Sequence, residues 1–93
     1  MEGTLRQERD VTVVNKLGLH VRAVGRFVDT AQKFNAEIRV RNGEKEADGK
    51  SIIEMLTLGA TPGAVLKLIA QGRDAEQAIT SLEALVRDHF HEE

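Results

Sequence analysis

The spacing of apolar residues along the chain predicts strands and helices in alternation. Residues 11–14 (VTVV) are rich in β-branched side chains and predict a short strand that runs into a turn. Over residues 20–34, apolar positions recur at helical spacing with charged positions between them, which predicts a first helix. Residues 36–41 (AEIRVR) alternate apolar and charged positions, so a strand with one buried and one exposed face follows.

A hairpin and a short helix are predicted next. Asn42-Gly43 is a strong hairpin signal because both turn positions need positive φ, and residues 44–47 supply the partner strand by position. Ser51 and Glu54 have the spacing of a capping box, in which the serine caps the helix and the glutamate closes the box. The sequence therefore predicts a second helix that begins after Ser51.

The remaining pattern completes an α+β domain. Pro62-Gly63 occupies the central positions of a predicted type II turn, and residues 65–70 form a fourth predicted strand. Asp74 is a candidate cap for a third helix, whose apolar stripe covers residues 75–86. The predicted order is β-α-β-β-α-β-α. Strands with one exposed face favour an antiparallel sheet covered by helices on one side only, which is a two-layer α+β sandwich.

Length and composition restrict the classes of protein that fit this pattern. The 93 residues suffice for one domain, which we place at residues 10–93 after a flexible leader at residues 1–9. With 13 Lys and Arg against 15 Asp and Glu, the net charge of -2 gives no general attraction to nucleic acid. Cysteine is absent and no apolar stretch reaches membrane-spanning length, so we expect no membrane insertion and a cytoplasmic location.

Two of the three histidines give only a weak signal. His89 and His91 lie in a charged stretch after the third predicted helix. Their spacing would allow both to touch a metal ion, but no third rigid ligand lies nearby in the sequence. We therefore interpret them as part of a solvated helix end and expect no metal site.

His20 differs because it stands at the start of the first predicted helix. The unpaired backbone amides of the first turn, those of Val21, Arg22 and Ala23, would face a group carried on its ring and form an anion site. The Arg22 guanidinium adds a fork suited to phosphate oxygens. Because a neutral imidazole is a nucleophile near neutral pH, the position fits phosphoryl chemistry as well as a plain helix cap.

Two segments resemble known signatures. Residues 15–23 (NKLGLHVRA) resemble the active-site segment of the HPr family, the histidine phosphocarriers of the phosphoenolpyruvate-dependent sugar phosphotransferase system. Residues 49–53 (GKSII) resemble the second signature of that family, around a regulatory serine, at the family's distance from the histidine. The resemblance covers residues 10–86. It implies a four-stranded antiparallel sheet with three helices on one face, and phosphorylation of His20 as a pros-phosphohistidine intermediate without a cofactor.

The resemblance also implies the partners of a phosphoryl relay. His20 would receive a phosphoryl group from enzyme I and pass it to the enzyme II A domains of sugar permeases, so the protein is a transfer intermediate with no turnover of its own. Arg22 would contact the moving group. Family members dock through the first two helices, and this implies an apolar patch with a basic rim that suits acidic partner surfaces. The candidate docking residues are Arg26, Lys50, Ile52, Ile53 and Leu56.

Three residues are open to a second interpretation or depart from the expected pattern. The pattern makes Ser51 a helix cap, whereas the resemblance makes it a substrate of HPr kinase/phosphorylase; members without this kinase also keep the serine. The family has proline where this chain has Ala23, which leaves an amide free and the backbone looser, and we expect the site to survive this change. Gly25, inside the first predicted helix, indicates close packing there.

Alternative functions stay open at this point. A regulatory or nitrogen-related member of the same family would pass its phosphoryl group to control proteins and move no sugar. A small ligand-binding regulatory domain would use His20 and Ser51 only as caps. A nucleotide site is disfavoured, because a Walker loop that ends in Gly49-Lys50-Ser51 needs glycine where this chain has Glu44.

Overall fold

The computed structural model describes residues 5–92. These residues fold into two layers, a β-sheet and a layer of helices. The strands are β1 (Arg6–Thr12), β2 (Glu37–Asn42), β3 (Lys45–Asp48) and β4 (Val65–Gln71), and the helices are α1 (Val21–Ala31), α2 (Ile52–Leu56) and α3 (Ala75–Arg87). All strand pairs are antiparallel, in the sheet order β1-β4-β2-β3. The helices pack over one face, so the predicted α+β sandwich is confirmed.

Alternation along the strands separates the core from the exposed face of the sheet. Ile38 and Val40 of β2 point toward the helices and are fully buried. On the opposite face, Arg39 and Arg41 contact Glu46 of β3 at 2.9 and 3.1 Å. Such exposed pairs add little stability each, about 0–1 kcal/mol, and the burial of the apolar face supplies most of the stabilisation.

The first strand begins earlier than the sequence predicts. Arg6 to Thr12 pair with β4, so the prediction of a flexible leader over residues 1–9 is wrong for residues 6–9, and residues 1–4 lie outside the described part. β1 is an edge strand, and its Arg9 side chain forms an ion pair of 2.5 Å with Glu83 of α3. Because a charged pair takes the place of apolar contacts there, the strand lacks the alternation that would reveal it.

The two predicted turns have different outcomes. Gly63 has a φ of 93° and the N–H of Ala64 donates to the carbonyl of Thr61 at 3.0 Å, as a type II turn requires. In the hairpin, by contrast, Asn42 pairs with Lys45 inside the sheet, so the turn residues are Gly43 and Glu44. The positive φ of 63° falls on Gly43. The prediction that Asn42 is a turn residue is therefore wrong.

The helix caps are only partly as predicted. Ser51 caps α2, since its Oγ accepts the N–H of Glu54 at 3.2 Å, but the Glu54 carboxylate accepts the N–H of Asp48 instead of closing the box. Asp74 makes no side-chain cap bond to α3. Apart from its chain neighbours and the backbone of its own helix, Gly25 has no atom within 4 Å of the place where a Cβ would stand, so the expectation of close packing there is wrong.

Candidate functional site

His20 is the N-cap residue of α1, as predicted. Its backbone is extended, with φ -97° and ψ 178°, and its carbonyl accepts the N–H of Val24 at 2.9 Å. The amides of Val21, Arg22 and Ala23 therefore precede the hydrogen-bonded ladder of the helix. The N–H of Arg22 points to Nδ1 of the His20 ring in a long hydrogen bond of 3.4 Å. The positive end of α1 thus faces one ring nitrogen.

The loop before His20 is fixed to the segment that follows α2. Gly18 has a φ of 69°, and a Cβ there would stand 2.6 Å from the carbonyl oxygen of Ala60. Both the positive φ and the lack of space for a side chain therefore require glycine. Leu19 is buried, and its N–H donates to the same Ala60 oxygen at 3.0 Å. These contacts hold the His20 ring at the surface, where its side chain is 24% exposed.

A carboxylate that the sequence did not point to lies against the other ring nitrogen. Oε2 of Glu92 contacts Nε2 of His20, and Oε1 of Glu92 accepts Nδ2 of Asn15 at 2.9 Å. The Nε atom of Arg22 lies 3.7 Å from Oε2. The site therefore brings together side chains from the first loop, the start of α1 and the segment after α3.

The electrostatics of Glu92 follow from this arrangement. Burial acts to raise the pKa of its carboxyl group, but the hydrogen bonds from Asn15 and His20 and the nearby positive charge of Arg22 outweigh burial. The pKa of Glu92 consequently lies below its ordinary value. Glu92 is thus ionised near neutral pH and forms a charged acceptor beside the imidazole.

The segment after α3 is folded onto the domain, contrary to the expectation of a solvated helix end. Phe90 is fully buried, and its carbonyl accepts the Arg26 guanidinium at 2.8 Å. His89 is half-buried, while His91 is exposed and contacts Asp88. No cluster of metal-ligating side chains occurs within residues 5–92. Every helix within residues 5–92 is too short or too polar to span a membrane.

The candidate docking residues fall into two groups. Ile52 and Ile53 are exposed at 46% and 77%, whereas Leu56 is partly buried against the core. Arg26 and Lys50 are engaged within the molecule: Arg26 holds Phe90, and Nζ of Lys50 donates to the carbonyl of Phe34 at 2.6 Å. Two further apolar residues that flank His20 in the sequence, Leu17 and Val21, are also exposed. The sequence pattern did not indicate them as docking residues.

The geometry defines what the site can do chemically. An unprotonated Nδ1 next to free helix amides can attack an electrophile that carries anionic oxygens, and the amides can bind those oxygens. Arg22, whose side chain is 65% exposed, can swing toward them. This combination matches the acceptance of a phosphoryl group.

Comparison with known proteins identifies the family. The model of the PTS HPr component phosphorylation site matches residues 7–88. The chain belongs to the HPr family. It is 41% identical over 85 residues to the phosphocarrier protein NPr of Shewanella violacea, across 91% of this chain and 93% of that protein. It is 39% identical over 84 residues to the phosphocarrier protein HPr of Pseudomonas aeruginosa, across 89% and 93%.

A solved HPr structure has the same fold. The crystal structure of HPr-C-His from Thermoanaerobacter tengcongensis superposes with a TM-score of 0.90 at 41% identity, and the match covers 94% of this chain and 98% of that one. Membership in the HPr family makes this chain a phosphocarrier of the phosphotransferase system. The α1 start retains its cap geometry with Ala23 in place of the proline.

Proposed function

We propose that His20 accepts a phosphoryl group on Nδ1 from the phosphohistidine of enzyme I and donates it to enzyme II A domains of sugar permeases. The observation that carries this proposal is the orientation of the ring, because Nδ1 faces the backbone N–H of Arg22 at the start of α1. An N–H donor requires a lone pair on Nδ1, so this nitrogen is the free nucleophile. Arg22 acts on the oxygens of the moving group.

The transfer step needs no proton acceptor. The Nδ1 lone pair of His20 forms the new N–P bond while the N–P bond of the donor histidine breaks, and that electron pair returns to the donor nitrogen. Nε2 of His20 keeps its proton throughout. The amides of Val21, Arg22 and Ala23 stabilise the negative charge that arrives with the phosphoryl group.

We assign the docking surface for these partners to exposed apolar residues near the start of α1 and on α2. Leu17 and Val21, which flank His20 in the sequence, are 65% and 68% exposed, and Ile52 and Ile53 lie on α2, which packs against α1. Arg22 supplies an unburied positive charge beside them. A small apolar patch with a cation at its edge suits a weak, fast exchange with acidic partner surfaces in the cytoplasm.

A second role within the same family is the regulatory or nitrogen-related one. Relatives named HPr and NPr match at 39% and 41% identity, so identity does not separate the two roles. Phosphorylation of Ser51 by an HPr kinase/phosphorylase would regulate either. Supplying the phosphorylated protein with a sugar-specific enzyme II A domain and with a nitrogen-related one separates them, since the true acceptor takes the phosphoryl group faster.

The phosphorylation proposal is tested by incubation with phosphoenolpyruvate and enzyme I. We expect one acid-labile, base-stable phosphate on the parent and none on His20→Ala, which should stay folded because an N-cap contributes only about 1 kcal/mol. His91→Ala is the matched control for labelling, because the His91 ring is exposed and contacts Asp88 instead of His20. Label that persists on His20→Ala would refute the assignment.

A further inference from the structure

An open groove lies between the end of α1 and the second half of α3. Its volume is about 490 Å³, within the range of about 300–1,000 Å³ that is usual for small-molecule sites. Thr30, which lines the groove on α1, follows His20 by ten residues, so the two lie about 15 Å apart along the helix axis. This part of the groove is therefore distinct from the proposed phosphorylation site.

The core fixes the apolar wall of the groove. Leu85 is 4% exposed, and the half-buried ring of Phe34 packs against the core. Ala84 is exposed at the opening, and its single methyl group leaves the groove accessible. Because the core holds Leu85 and Phe34 in place, the wall exists before a ligand binds, and the apolar part of a ligand would be removed from water against it.

Two hydroxyl groups of the groove have no hydrogen-bond partner among residues 5–92. They are those of Thr30 on α1 and Ser81 on α3. Such a hydroxyl often bonds to a carbonyl one turn earlier, as at the end of α2, where Oγ1 of Thr57 donates to the carbonyl of Glu54 at 2.6 Å. Thr30 and Ser81 do not make this bond, so both hydroxyls can donate to a ligand.

The charges around the groove favour a ligand with one anionic group. Lys33 is exposed and forms no ion pair within the described part of the chain. The Asp88 carboxylate does not neutralise it, because Asp88 contacts the His91 ring. One ammonium group and two hydroxyl donors suit a single carboxylate, whereas Asp88 would repel a second negative charge on the same ligand.

We propose that this groove binds a small organic carboxylate with an apolar ring as its body. The carboxylate contacts Nζ of Lys33 and the hydroxyls of Thr30 and Ser81, while the ring lies against Phe34 and Leu85. An open groove removes only part of a ligand from water, so binding is weak, with a dissociation constant of about 1 mM for a ligand of about 13 non-hydrogen atoms. None of these contacts involves the start of α1, so the proposal is independent of phosphoryl transfer.

The probe is 2-naphthoate, which joins an aromatic bicycle to one carboxylate, and its uncharged counterpart is 2-naphthamide. Each is titrated into the full 15N-labelled chain, and changes in the backbone amide shifts show where it binds. We expect 2-naphthoate to shift the amides of Thr30, Ser81 and Leu85 with a dissociation constant of about 1 mM. The amide lacks the charge that Lys33 attracts, so 2-naphthamide should bind about three- to tenfold more weakly.

Two variants test the contacts of the carboxylate. Lys33→Met removes the charge and keeps the length of the side chain, and Ala84→Glu places a repelling carboxylate at the opening. Both should weaken 2-naphthoate binding about threefold or more. The matched controls are Lys45→Met and Thr12→Glu, because Lys45 on β3 and Thr12 on β1 are exposed and lie outside the groove. The controls should bind 2-naphthoate like the parent.

The shift map also separates the groove from the exposed apolar residues of the docking surface. Shifts that centre on Val21, Ile52 and Ile53 overturn the proposal, and so does a spectrum that 2-naphthoate leaves unchanged at about tenfold its expected dissociation constant. Equal binding of 2-naphthoate and 2-naphthamide overturns the assignment of a carboxylate site, as does parental affinity in Lys33→Met. His20→Ala should bind 2-naphthoate like the parent, so a failure of phosphorylation at His20 leaves this result unaffected.

Discussion

The carboxylate of Asp74 accepts the backbone N–H of Ala36 at 2.8 Å, and thereby joins the start of α3 to the start of β2. Its second oxygen accepts the N–H of Asn35 at the same distance. The bond from Asn35 is the main cause that lowers the pKa of Asp74, and the Ala36 bond adds to it against the opposing effect of burial. The residue predicted to cap a helix thus fixes a connection between layers.

This bond predicts a pH-dependent loss of stability in Asp74→Asn. Because the folded state lowers the pKa of Asp74, the carboxylate stabilises the fold above its unfolded pKa of about 3.9, and this contribution is lost as pH falls through the folded value. Asp74→Asn should therefore melt below the parent at pH 7, and the difference should shrink between about pH 5 and pH 3. Thermal unfolding across this range measures it, with exposed Asp29→Asn as control. A constant difference at every pH would contradict this linkage.

Gly25→Ala should stabilise the protein. Gly25 lies inside α1, and beyond its chain neighbours and the backbone of its own helix an added Cβ there meets no atom within 4 Å. Alanine in a helix interior is favoured over glycine by about 0.5–1 kcal/mol, and nothing here opposes that gain. Urea denaturation should show an increase of this size. Gly18→Ala is the opposite case, because its Cβ would stand 2.6 Å from the Ala60 carbonyl, and it should destabilise the fold.

The local features of the site could be predicted from the sequence because they depend on neighbours along the chain. The cap roles of His20 and Ser51 follow from residue type and the start of an apolar stripe, and both are present. The contact between Asn15 and Glu92 joins positions 77 residues apart. The local sequence around either residue does not indicate this contact, because an asparagine in a loop and a glutamate after a helix are both common.

The first strand illustrates a second limit. Residues 6–9 look like a polar leader because Arg9, which faces the helices, is charged rather than apolar. Its partner Glu83 lies in the middle of α3, so the stabilising contact exists only once both elements are in place. The alternation of apolar and polar residues identifies strands that are buried by apolar contacts. It does not identify an edge strand that is held by an ion pair.

Arg22→Ala should slow phosphoryl transfer more than it weakens enzyme I binding. The guanidinium is exposed and lies 3.7 Å from Glu92, so it contributes little to the fold and is free to move onto an arriving phosphoryl group. A contact made mainly in the transition state lowers kcat, here by about tenfold, with a smaller change in KM. Arg22→Lys keeps the positive charge but loses the paired N–H donors of the guanidinium, so its kcat should lie between those of the parent and Arg22→Ala. A loss confined to KM would assign Arg22 to docking.

Ser51→Asp should keep the fold and impair docking. The Ser51 Oγ accepts the N–H of Glu54, and aspartate is an equally good cap, so the melting temperature should hold. The added charge lies next to Ile52 and Ile53, which are exposed on the surface that we assign to enzyme I. Covering that charge costs solvation, and an acidic partner would repel it. The initial rate of His20 phosphorylation at limiting enzyme I should therefore fall.

Salt and a neutral variant distinguish charge from loss of the hydroxyl. A rate loss caused by repulsion between exposed charges should shrink as ionic strength rises from about 0.01 to 1 M, because the Debye length falls from about 30 to 3 Å. Ser51→Ala removes the cap without adding charge, so it should lose about 0.5–2 kcal/mol of stability and transfer at the parental rate. If Ser51→Asp is phosphorylated at His20 as fast as the parent at low salt, then Ser51 serves only as a helix cap and α2 lies outside the enzyme I interface.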